Sequence, residues 1–240
     1  MFSNKLHVFF GGSVGVGKTS VIDALFGTFD SNAVWWIREY IDKDLENGVN
    51  NLTANLEGRM DDLSFQRYIL GCTKLQVFND YYAKAKVILW ERHPMESLLF
   101  MGLSVKQGRC STSDYHIFEE ELKKFCKDFK IPPLVKTAAI YKTLPIDTHD
   151  MEPHMISFIV KEKICNSLWS MECLPIYVFL YCSNNFDQFE RIHKRGRACE
   201  VSLYTDVSVV EKLNQQYYDF ICERVPKLLK WKEYGLFSIN

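Results

Sequence analysis

The residues Gly12, Gly17, Lys18 and Thr19 stand in the spacing GxxxxGK[ST] inside the run GGSVGVGKTS, and this is a phosphate-binding pattern matched in full. Its glycines let successive backbone N–H groups, through Ser13, Val14, Gly15 and Val16, turn inward on phosphate oxygens with no Cβ in the way. A helix starting near Thr19 adds its positive N-terminal end. Lys18 is placed to bridge β- and γ-oxygens, and the Thr19 hydroxyl to reach Mg2+. A glycine-rich turn without a ligand is the weaker reading, so ATP or GTP with Mg2+ is expected. The sequence contains neither NKxD nor DxxG, which speaks against a GTPase. A motor or helicase would want a strand ending in Asp, whereas here the candidate strand ends in Glu91 and runs at once into Arg92-His93. That points to an acceptor site built across from the loop.

Three features bear on the acceptor. Glu39 follows the apolar run VWWI and can take the proton of an attacking hydroxyl, although most glutamates are merely solvated. Gln66 falls on the inward stripe Leu63, Leu70, Val77 and Tyr81 of a helix expected over about Asp61 to Ala85. An unpaired amide there costs on the order of 1–3 kcal/mol. Its donor and acceptor side by side match the edge of a nucleobase, and a Gln satisfied by backbone or water is an equal reading. In RIHKRGRACE (191–200), Arg191 and Arg195 are i,i+4 neighbours and Arg197 follows a glycine. A single basic patch on a chain of net charge −1 reads as a lid of arginines closing over transferring phosphates. Glu200, among those cations, suits a sugar hydroxyl. The cluster DTHDMEPH (147–154) is interrupted by Pro153 and matches no zinc spacing, so it reads as a solvated loop.

These residues need a frame that brings them together. Leu6–Phe10, Val34–Ile37, Lys86–Trp90 and Ile176–Tyr181 read as buried parallel strands, with Gly235–Ile239 as a fifth. The long helical stretches between them imply an α/β fold, a doubly wound, mainly five-stranded parallel sheet flanked by helices. Ligands of such sheets bind outside the carboxyl ends of the strands, where the polar residues above all fall. Residues 102–150 are hard to read beyond a charged helix over about Tyr115–Phe129 that Pro132-Pro133 ends. The 240 residues suit one domain, with the lid at about 191–200. The near-balanced charge gives no field for nucleic acid or an anionic membrane, and no apolar run approaches the ~18–20 residues of a membrane span. Eight scattered cysteines without CxxC fit reduced, buried thiols. With few residues before the first strand to hold a leader, a cytoplasmic or nuclear location is expected.

Taken together, GGSVGVGKT, Glu39, Phe65-Gln66, Glu91-Arg92-His93-Pro94 and RIHKRGRACE resemble, in that order, the deoxyribonucleoside kinase family, which includes the herpesvirus-type thymidine kinases. The resemblance covers most of the chain and implies a P-loop nucleoside kinase with an arginine lid, moving the ATP γ-phosphate to a nucleoside 5′-hydroxyl. It implies Glu39 as general base, Arg92 holding Glu39 and the 5′-oxygen, and Glu91 with Thr19 at Mg2+. It places Arg191 near the adenine of ATP, Arg195 and Arg197 on the transferring phosphoryl group, and Glu200 on the 3′-hydroxyl. Gln66 would read the base, with Phe100 or Met101 stacking on it. An ungapped count puts Asn55 where the family has a tyrosine sharing the 3′-hydroxyl. Tyr40 and Asp44 depart from the family's proline and aromatic. The Arg–Asp pair of enzymes that accept deoxycytidine and purines falls on Thr73 and Ser97, which favours thymidine or another pyrimidine. Family members commonly dimerise, so a homodimer is expected. Two alternatives stay open: a thymidylate or other monophosphate kinase, with Arg38 or Arg59 as the extra cation, and a non-catalytic kinase-like scaffold.

Overall fold

Alternation along the strands decides how the chain is layered. In β1 (Leu6–Gly11), Leu6, Val8 and Phe10 join one apolar cluster and Phe9 the other. β3 (Val87–Glu91) divides in the same way, with Val87 and Leu89 against Ile88 and Trp90. So does β5 (Ile176–Tyr181), with Ile176, Val178 and Leu180 against Tyr177 and Phe179. A strand buried on both faces has to lie inside a sheet covered on both sides, because successive side chains point to opposite faces.

The computed structural model describes residues 5–30, 32–43, 45–134, 141–170 and 174–225. Two further strands, β2 (Val34–Ile37) and β4 (Lys142–Asp147), complete a parallel five-stranded sheet in the order β2-β3-β1-β5-β4. The register sets Val34 opposite Val87, Leu6 opposite Val87, Val8 opposite Ile176 and Lys142 opposite Ile176. The helices are α1 (Lys18–Phe26), α2 (Tyr40–Lys43), α3 (Leu45–Leu56), α4 (Asp62–Val77), α5 (Asp80–Lys84), α6 (Ser97–Lys106), α7 (Thr112–Asp128), α8 (Pro153–Trp169), α9 (Asn185–Arg195), α10 (Ala198–Leu203) and α11 (Val207–Arg224). α1 and α8 cover the face of Val8 and Phe10, while α4, α6, α7 and α11 supply the cluster around Phe9 and Trp90. No described helix is long and apolar enough to cross a membrane.

One expectation lies outside the described residues and another changes. The segment Gly235–Ile239 and Asp44 lie outside the described residues, and the fifth strand of the sheet is β4, from the stretch that gave no clear reading. β4 is an edge strand that carries Pro145 and is mostly half-buried, so it lacks the continuous apolar run of an inner strand. The helix expected over about 61–85 is two helices. Asn79 accepts a hydrogen bond from the Tyr81 N–H at 2.9 Å and starts α5 afresh, which competes with continuing α4. Tyr81 is therefore exposed and stacks on Trp35 at 5.5 Å, and Tyr82 takes the buried place.

Candidate active site

The carboxyl ends of β1, β2 and β3 open on one cavity of about 1090 Å³, which the loop after β1, α4 and the α9–α10 segment also line. The phosphate loop is pressed against its surroundings. Gly12 has φ +138°, and a Cβ there would stand 2.3 Å from the Leu180 carbonyl oxygen. Gly15 has φ +78°, and its Cβ would meet Ile192 of α9 at 2.6 Å. Val14, Gly15, Gly17, Lys18 and Thr19 line the cavity. Ser13 and Val16 turn their side chains away: Val16 joins the core, while the Ser13 hydroxyl donates to Asn214 Oδ1 and accepts from Gln188 Nε2 at 2.9 Å. Lys18 Nζ donates to the carbonyls of Gly12 (3.0 Å) and Ser13 (2.8 Å). Burial, then the Arg92 charge, brings the Lys18 amine down to about 8 against the pull of three glutamates.

Across from the loop stand paired charges. Glu39 lies just past β2, and Arg92 Nε donates to its Oε1 at 2.7 Å. Arg92 Nη1 donates to the Gly12 carbonyl at 2.8 Å, tying the pair to the phosphate loop. Burial alone would raise the Glu39 carboxyl; the Arg92 and Lys18 charges outweigh it and hold it down at about 2. Glu91 ends β3, accepts from the Thr19 hydroxyl, and is pushed up to about 7 by burial and then by the Glu39 charge. Asp42 of α2 joins them, so that Glu39, Asp42 and Glu91 each offer an oxygen within 4.8 Å of the others. A set of hard carboxylate oxygens beside a hydroxyl fits Mg2+.

The far wall belongs to α4. Gln66 is 5% exposed, and its Oε1 is buried without a partner among the described residues. One turn earlier, Asp62 accepts through Oδ1 from Asn55 Nδ2 (2.9 Å) and Arg109 Nη1 (3.1 Å), while its Oδ2 is buried without a partner among the described residues. Asn55 also donates to the Met60 carbonyl at 3.1 Å, so both protons of its amide are engaged. Phe100 lines the cavity, with the Arg92 guanidinium 5.8 Å from its ring centre.

The lid folds over the opposite rim. α9 ends at Gly196, which has φ +70°, and Arg197 precedes α10. Arg195 donates to Glu200, and Arg197 reaches Glu200 at 3.3 Å and Asp42 at 2.6 Å. Arg191 is anchored on the Thr148 carbonyl at 2.8 Å, in the loop after β4. Arg191, Arg195, Arg197 and Glu200 all line the cavity.

No protein-family model and no curated protein matches the sequence. Solved structures do. A deoxyadenosine kinase from M. mycoides with bound dATP aligns at 15% identity and TM-score 0.55, over 92% of this chain and 86% of that one. The same enzyme with bound dCTP aligns at 15% identity and TM-score 0.53, over 92% and 85%. With the products dCMP and dCDP it aligns at 17% identity and TM-score 0.53, over the same 92% and 85%. This is the deoxynucleoside kinase fold.

Within this fold Glu39, Arg92, Glu91, Thr19, Lys18, Gln66, Phe100, Asn55 and the lid residues Arg191, Arg195, Arg197 and Glu200 line the same cavity. Met101 is a correction. It is 0% exposed in the core around Phe9 and Trp90, because neighbours on a helix point about 100° apart and Phe100 takes the cavity side. Arg38 lines the cavity and lies 4.2 Å from the ring centre of Trp36, while Arg59 is exposed on Glu57 and stands outside the lining. Asp42, Asp62 and Arg109 were not singled out from the sequence. Asp42 had a signal, its place three residues after Glu39; Arg109 and Asp62 are 47 positions apart and meet only through the packing of α4 and α6.

Proposed function

We propose that the chain is a deoxynucleoside kinase that transfers the γ-phosphate of ATP to the 5′-hydroxyl of a deoxynucleoside. What carries the reading is one cavity holding the phosphate loop, the Glu39–Arg92 pair facing it, and beyond them the Gln66 amide oxygen, which has no partner among the described residues. The hydroxyl oxygen attacks the γ-phosphorus, the bond to ADP breaks, and the proton passes to Glu39. A carboxylate held near 2 is a weak base, so Glu39 works first as an acceptor that orients the hydroxyl and takes the proton late. Arg92 holds that carboxylate and the 5′-oxygen. Lys18, Arg195 and Arg197 balance charge spreading over the phosphoryl oxygens. Thr19, Glu91 and Asp42 would hold Mg2+, which supplies charge neutralisation across the phosphates when bound.

Base choice is the finer point. The count that pointed to thymidine looked for an Arg–Asp pair at Thr73 and Ser97, and the cavity wall has such a pair elsewhere, Arg109–Asp62. Two buried acceptors, Asp62 Oδ2 and Gln66 Oε1, favour a base that brings amino hydrogens, adenine, cytosine or guanine, over thymine.

The test is phosphate transfer from ATP with Mg2+ to thymidine, deoxycytidine, deoxyadenosine, deoxyguanosine and thymidylate, with ribosides alongside. Turnover of a deoxynucleoside is expected, and Glu39→Gln should lower kcat roughly 10²–10⁴-fold while nucleoside still binds. Turnover of thymidylate alone would make this a monophosphate kinase, and silence with ATP bound would make it a scaffold.

A further inference from the structure

Glu96 closes the 3-10 turn Pro94–Glu96 between β3 and α6, and it is 0% exposed. A carboxylate cut off from water is costly unless it is hydrogen-bonded and paired. Here four groups from three parts of the fold converge on it. Oε1 accepts from the Tyr177 hydroxyl of β5 at 2.7 Å and from the His93 N–H at 2.9 Å. Oε2 accepts from the Tyr217 hydroxyl of α11 and faces Arg92 Nη1 at 3.8 Å. Glu96 itself does not line the cavity; its direct contact with the site is Arg92, and its charge also acts on Lys18 from farther off.

Arg92 needs holding. It has φ +74°, a left-handed backbone that costs a non-glycine residue about 1–3 kcal/mol. Its guanidinium touches Glu39 on one side, while on the other Nη1 reaches the Gly12 carbonyl and, at 3.3 Å, the Tyr217 hydroxyl.

We propose that Glu96 is a positioning residue for phosphoryl transfer: with Tyr217 it forms a buried counter-charge behind Arg92, so that the arginine is shared between two carboxylates instead of belonging wholly to Glu39. The proposal rests on the kinase reading above. Sharing matters because the substrate hydroxyl has to compete with Arg92 for Glu39. An arginine without its rear carboxylate pairs more tightly in front, and the acceptor oxygen of Glu39 becomes harder to reach. Burial pushes the Glu96 carboxyl up to about 7 against the pull of Arg92, so assays above neutral pH keep it charged.

Glu96→Gln keeps an acceptor for the His93 N–H and the Tyr177 hydroxyl while removing the charge. With substrates identified from the panel, it should lower kcat about tenfold, within the range for residues of one charged network. KM for nucleoside and for ATP should change less than about twofold, with the loss counted per folded molecule from the unfolding transition. Glu96→Asp, which keeps the charge at a shorter reach, should recover part of kcat. A purely structural turn residue would instead lower the unfolding midpoint and leave kcat per folded molecule unchanged. That outcome, or an Asp variant no better than the Gln variant, overturns the proposal. Wild-type silence across the panel overturns the kinase reading and this proposal with it, whereas an active wild type with an unaltered Glu96→Gln overturns the proposal alone.

Discussion

Asp62 and Gln66 sit one turn apart on α4, each with a buried oxygen that has no partner among the described residues. Leaving both unsatisfied when a ligand binds would cost on the order of 1–3 kcal/mol each, so the base that binds should bring hydrogens to them. Asp62→Asn replaces one such acceptor by a donor-bearing amide. We predict that it lowers the kcat/KM ratio of deoxyadenosine over thymidine about tenfold, a polar mismatch at a buried contact. An unchanged ratio in a folded variant would remove Asp62 from the base wall. At this scale the sequence showed what lies within a motif: Glu39, Arg92 and the lid arginines each have neighbours that mark them. Asp62 and Arg109 have none, because their meaning comes from a contact that forms only when α4 packs beside α6.

The phosphate loop and α9 are built as one element. Gly15 lies against Ile192, and Gln188 reaches back from α9 to the Val14 carbonyl at 2.6 Å and the Ser13 hydroxyl at 2.9 Å. α11 adds Asn214, which donates to Gln188 Oε1 at 2.8 Å. The helix bearing Arg191 and Arg195 is thus fixed to the loop that cradles the phosphates. Gly15→Ala meets both a positive φ and the Ile192 side chain, a strain of roughly 1–3 kcal/mol. We predict a KM for ATP raised at least tenfold with a smaller change in nucleoside KM, checked by steady-state kinetics; equal changes in both would mean that the strain is not confined to the loop. Inner strands were readable because burial on both faces gives continuous apolar runs. β4 was not, since an edge strand with a proline lacks that pattern, and the break between α4 and α5 rests on one asparagine side chain.

Across the whole molecule, two neutral histidines lie inside the fold. His93 is pulled down to about 4 by burial, against a hydrogen bond with the Pro132 carbonyl, and His7 to about 3 by burial and then by the neighbouring His93 and Lys5. Between about 4 and the unfolded value of about 6.5 the unfolded chain binds more protons at these sites, so their contribution is present above that window and lost as pH falls through it. Glu91 and Glu96, pushed up to about 7, act in the opposite sense: the fold binds their protons more readily, and stability declines as pH rises from about 4.5 to 7. The two effects oppose each other in wild type, so the difference from a variant is the useful readout. The stability gap between wild type and His93→Asn should narrow by up to about 1.4 kcal/mol per pH unit from 6.5 down to 4.5. Denaturant unfolding across that range measures it, and a constant gap would mean that His93 does not hold its low value. The sheet that houses these groups was legible as a whole, because strand, polar switch and helix recur along the chain and parallel pairing follows from that rhythm.

The described lid leaves few charges idle. Arg195 is held by Glu200, and Arg197 by Glu200 and Asp42. In the reaction proposed here, Arg195 becomes available to a phosphoryl group when something else engages Glu200, and Arg197 when Asp42 is engaged as well. A sugar brings hydroxyls for the Glu200 carboxylate; a water molecule arriving alone does not bring a second one held in place. Under the proposed kinase reading, these ion pairs tie the lid cations to the arrival of an acceptor, which would spare ATP from futile hydrolysis.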